Sequence, residues 1–95
     1  MFGIFKKQQR LSSPEDKLKH DMRKNIENMA LLHYDESPMK GTPLEGMALV
    51  AGISQTKEYF VKRSISISQH YGVSRENTIL IIENCAKMVH KDFIE

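Results

Sequence analysis

Ninety-five residues with a net charge of +2, 40% apolar and 27% charged side chains and a single cysteine describe one small water-soluble domain. They exclude a two-domain chain, an intramolecular disulfide and, since no stretch approaches ~20 apolar residues, a membrane-spanning helix. The basic excess is N-terminal: residues 1–10 hold Lys6, Lys7 and Arg10 without an acid, whereas residues 73–95 set three cations against four acids, so no broad basic face for nucleic acid is expected.

Residues 1–12 form a flexible basic and aromatic tail in this reading, with Phe2, Ile4 and Phe5 ahead of Lys6 and Lys7 and no sustained period. Such a tail is also what a peripheral membrane protein uses, although its apolar part is much shorter than usual for an interfacial helix. The positive charge follows the apolar patch, the reverse of a secretory signal, so a cytoplasmic protein is the simplest expectation.

The domain proper, residues 13–95, opens with convergent helix-start signals: Ser13 to cap, Pro14 in the first turn, then Glu15 and Asp16 facing the positive end of the dipole. Leu18, Met22, Ile26, Met29 and Leu32 share one face and carry this helix over 14–33. Tyr34 to Gly41 is a loop rich in turn formers. Thr42 and Glu45 match a capping box, with Pro43 between them, and start a helix over 43–51. Gly52 is expected to end it and Ser54 to cap the next, over 55–71, with one continuous helix as the alternative. Alternating residues from Val61 to Ser68 also match a half-buried strand, but Arg63 interrupts the alternation and a lone strand lacks a partner, so helix is retained. The last helix, 75–93, carries two apolar stripes, one of Ile79, Ile82, Ala86, Val89 and Phe93 and one of Ile81, Cys85 and Met88; it should be central and touch two elements, or one element and a partner chain. The fold class is all-α, a small bundle of three to four helices. Its expected core is Leu18, Met22, Ile26, Met29, Leu44, Met47, Ala51, Val61, Ile65, Ile82, Ala86 and Val89.

Two turns twenty residues apart look alike, Ala51 to Gln55 and Tyr71 to Arg75. The first, with Ala48 four residues before its glycine, resembles the helix-turn-helix of bacterial regulators. That resemblance implies that Gln55, Thr56 and Lys57, and in the second copy Arg75, Glu76 and Asn77, face DNA from the start of a helix. Both copies depart from the pattern six residues after the glycine, where Glu58 and Thr78 stand in place of an aliphatic residue. The plainer reading of both is a helix-to-helix connector, with glycine in the left-handed region, an apolar residue packing back and serine capping onward.

No catalytic or cofactor signature is present. His20, His33, His70 and His90 include no pair spaced for one metal on a helix, and Cys85 lies on an apolar stripe, where burial deactivates a thiol. Asp35 and Glu36 read as a solvated turn. The expectation is therefore a regulatory or adaptor protein without enzyme activity, cofactor or small-molecule substrate, acting by binding another protein, with homo-oligomerisation among its modes. The surplus apolar residues Tyr59, Phe60, Ile81, Cys85 and Met88 are its expected interface.

Overall fold

A computed structural model describes residues 13–94, which form four helices: α1 (Pro14–Asp35), α2 (Glu45–Lys62), α3 (Ser64–Tyr71) and α4 (Arg75–Ile94). The N-terminal tail and Glu95 lie outside the described residues. Helices α1, α2 and α4 pack on one another, and the short α3 packs mainly on α4. Tyr34 meets Glu45, while Gly52 lies on Ala30 and His33, so α1 and α2 run antiparallel. Glu83 shares a groove with Lys57, and Ile94 one with Met47, so α4 also runs antiparallel to α2. The architecture is up, down, up, with α3 carrying the chain across before the last ascent.

The α1 core face is Leu18, Met22, Ile26 and Ala30, four residues apart each time. This stripe drifts by about 40° per step around the helix. By Ala30 it has moved far enough to leave Met29 outside the core, contrary to expectation. Ser13 occupies the N-cap position, but its hydroxyl points to the Glu15 carboxylate instead of capping an amide.

The second helix starts at Glu45, two residues later than its capping signals suggest. The expected box is displaced: the Thr42 hydroxyl donates to the Met39 carbonyl and accepts the Leu44 N–H, while the Glu45 carboxylate accepts the Gly41 N–H at 3.0 Å and the Tyr34 hydroxyl at 3.1 Å. Glu45 thus clamps the loop to α1. From there α2 runs uninterrupted through Gly52, so the expected helix end at that glycine and the new start at Ser54 are both absent. The reason is steric. A Cβ at residue 52 would stand 3.2 Å from the Cα and carbonyl oxygen of Ala30, so glycine serves here as a close-packing residue and not as a terminator. Ala48, Gly52, Ile53 and Thr56 make the buried face, which turns Met47 (60% exposed) out of the expected core and leaves Ala51 half-buried; Leu44 (54% exposed), the N-cap residue ahead of the helix, is outside it too.

The break falls instead at Arg63, whose side chain folds back over the Tyr59 ring at 3.7 Å and donates to the Tyr59 carbonyl. Beyond it Ser64 and Ser68, four residues apart, are the buried face of α3, and Ile65 is exposed, contrary to expectation. The alternating pattern of 61–68 therefore belongs to helix. Val61 is half-buried against the core. The second glycine turn behaves as a connector. Gly72 takes φ +73°, the N–H groups of Gly72 and Val73 converge on the Ser68 carbonyl, and Val73 packs back into the core. The Ser74 hydroxyl then accepts the Asn77 N–H, opening α4.

Both apolar stripes of α4 are used within the chain, except that Met88 of the second stripe is exposed. Thr78, Ile82, Cys85, Ala86 and Val89 are buried, with Ile81 and Phe93 partly buried against them. Thr78 lies fully inside because its hydroxyl donates to the Ser74 carbonyl, leaving its methyl for the core. The Cys85 thiol donates to the Lys19 carbonyl at 3.4 Å; burial pushes its pKa up, against the lowering effect of Lys19 and Arg23. Further polar ties between α1 and the rest are Arg23 with Asp92 and the Tyr71 hydroxyl donating to Asp21.

Two outcomes check this packing. Gly52→Val should lower stability by about 2 kcal/mol, since its branched side chain meets backbone that cannot yield, whereas Gly46→Ala, with nothing within 4 Å of the added Cβ, should gain about 0.5–1 kcal/mol. Urea midpoints measure both, and an undiminished midpoint for the valine variant would mean the two helices do not approach as described. Burial and the hydrogen bond to Asp21 push the Tyr71 pKa up to about 12, above its ordinary value near 10. The folded state therefore holds this proton more tightly than the unfolded chain. The resulting stability is complete below pH ~10 and lost as pH rises to about 12. Tyr71→Phe should cost about 1 kcal/mol at neutral pH and flatten that alkaline loss, part of which stays because Tyr34 is shifted in the same direction.

Candidate binding surface

The residues expected to form an interface are dispersed by the fold. Cys85 is 0% exposed and belongs to the core, so it cannot touch a partner while the bundle is closed; Phe60 and Ile81 are half-buried on the same core. Tyr59 and Met88 are exposed but on different sides. Tyr59 stacks edge-on against Phe60 and lines a groove between α1 and α2 with Met29, Leu32 and Gln55. Met88 borders a groove beside His20, Arg23 and Lys24 of α1.

The residues drawn from the helix-turn-helix resemblance are separated too. Gln55, Thr56 and Lys57 sit in the middle of continuous α2, not at a helix start. Thr56 is buried, its hydroxyl donating to the Gly52 carbonyl, while Gln55 and Lys57 line grooves on opposite sides of the helix. The first turn thus lacks the geometry on which that contact set depends. In the second turn Arg75 and Asn77 are exposed at the start of α4.

A surface that the periodicity does not announce lies between α2 and α4. Val50, Ile53 and Ala86 form its floor, Ser54, Lys57, Lys87, His90 and Lys91 its walls, enclosing about 490 Å³. Through Val50 and Ser54 it continues into a second depression of about 600 Å³ lined by Pro43, Gly46, Met47, Ala51 and Ile94. Met47, Val50 and Ile94 are large apolar side chains exposed along this line. They are left outside because Ala48 and Gly52 turn the close-packed side of α2 toward α1, and the small residues at 46, 51 and 54 keep the outer side shallow. The spacing of Ala48 and Gly52 is the signal that would have placed Met47 outside; Leu44 is outside because it precedes the helix as its N-cap residue.

The electrostatics are one-sided. Lys57, Lys87 and Lys91 line the groove, no carboxylate lines either depression, and none of the three lysines is in an ion pair among the described residues. Glu58 and Glu83 come in only past Lys57, beside Lys62. Among the described residues no three His, Cys, Asp or Glu side chains converge to hold a metal, and no helix is long and apolar enough to cross a membrane. Compared with known proteins, the chain matches no family model, no curated protein and no solved structure, so this groove and its charge are the features from which a role is read.

Proposed function

We propose that the chain is a small cytoplasmic adaptor or regulatory protein that works by binding another protein chain through the groove between α2 and α4. The observation that carries this reading is the continuous line of exposed Met47, Val50 and Ile94 beside buried Ile53 and Ala86. Exposed apolar side chains scattered singly are ordinary, whereas a joined line of them in a concave surface is what a partner covers. Self-association belongs to the same reading through any apolar surface the groove leaves over, such as Met29, Leu32 and Tyr59 between α1 and α2.

Val50→Asp tests the assignment. It places a charge on the floor of the groove at a position 40% exposed, so the fold should persist, with stability changed by no more than about 0.5 kcal/mol. Capture of protein partners by the full chain, followed by crosslinking and mass spectrometry, should drop to background in the variant while its circular dichroism matches the wild type. Unchanged capture by Val50→Asp together with loss in Tyr59→Asp would move the site to the groove between α1 and α2.

A further inference from the structure

Resting on the reading of this groove as a protein-binding site, we infer that its occupant is an acidic amphipathic helix of a partner protein. From Met47 to Lys57 the groove follows α2 for about 15 Å, close to three helical turns. Its two walls are antiparallel helices, and a third helix laid between them would present apolar anchors about every three to four residues to Met47, Val50, Ile53 and Ala86. The walls decide what flanks those anchors. Among the described residues Lys57, Lys87 and Lys91 meet no carboxylate in the groove, unlike Lys17, Arg23 and Lys40, each of which has an acid beside it. Aspartate or glutamate beside the anchors supplies the missing charge, guides encounter and fixes the register of the helix.

The same charges disfavour the other occupants. The chain's own tail offers Phe2, Ile4 and Phe5 to the floor but brings Lys6, Lys7 and Arg10 to the lysine walls. A second copy docked groove to groove across a two-fold axis sets each lysine wall near its own image. Nucleic acid satisfies the lysines through its phosphates and leaves the apolar floor unmatched.

The test uses the full chain and labelled synthetic peptides of about four helical turns. One carries leucines on a single face flanked by glutamates, a basic twin has lysine for each glutamate, and a third has the acidic composition with the leucines scattered out of phase. A duplex DNA oligonucleotide is the fourth probe. The acidic in-phase peptide should bind roughly tenfold or more tighter than its basic twin and its scattered relative, and binding should weaken as salt rises. Lys87→Glu with Lys91→Glu should reverse the preference toward the basic peptide, Lys87→Gln with Lys91→Gln should abolish it, and Val50→Asp should remove binding of both.

Equal binding of the scattered peptide, an unchanged preference in the charge-reversed variant, or DNA binding tighter than that of the acidic peptide would overturn the inference. If the acidic preference is absent while Val50→Asp still abolishes capture of protein partners, the acidic helix is refuted and the groove remains a protein site. If Val50→Asp also leaves capture intact, both fall together.

Discussion

The bundle depends on the approach of Gly52 to the backbone of Ala30. Two helices carrying ordinary side chains stay apart by the thickness of those side chains, and here one side is a hydrogen atom and the other a methyl. Everything on α2 is phased by this contact. Ala48, Gly52, Ile53 and Thr56 face inward because the smallest residues have to be there, and the larger Met47 and Val50 are turned to the outside as a consequence. Thr56, which would carry an unsatisfied hydroxyl inside, returns its hydrogen bond to the carbonyl of Gly52 itself, so even the polar residue on this face is satisfied locally.

With α1 and α2 close together, one broad helix is needed to close the remaining side of the core, and α4 meets that need with apolar residues over roughly half its circumference. Val73, ahead of its first turn, and Val89, near its end, are both buried, so the helix is held along most of its length. The short α3 packs less; its buried residues are two serines, with Ile67 and Tyr71 partly buried against the core. Its role is directional. It takes the chain from the end of α2 to the start of α4.

Much of the helical layout was legible from periodicity and start signals. The first helix, the last helix and the Gly72 connector each combine an apolar stripe with a distinct boundary residue, and each forms close to where those residues put it. The centrality of α4 was legible for the same reason, since two stripes need two neighbours. Gly52 misled because the same residue ends helices and permits close packing, and only the tertiary neighbour decides between these uses. Arg63 gave no warning of a break, being neither glycine nor proline. The binding surface was the least legible part: a stripe of apolar residues shows that something will cover them, but not whether a helix of the same chain does so. For Ile81 and Cys85 the cover is internal, whereas for Met47 and Val50 there is none among the described residues.

Cys85 has a consequence that concerns motion. It is the sole thiol of the chain, fully enclosed between α4 and α1 and held to the Lys19 carbonyl. Burial raises its pKa, which keeps the thiol protonated and poorly nucleophilic. A thiol-specific reagent therefore has to wait until α1 and α4 part, and the rate at which it reacts counts how often they do. The protein carries within its own core a chemical clock for the opening of the bundle, between α4 and α1 and next to Ala86 on the groove floor, ready to register whether an occupant of that groove slows the opening.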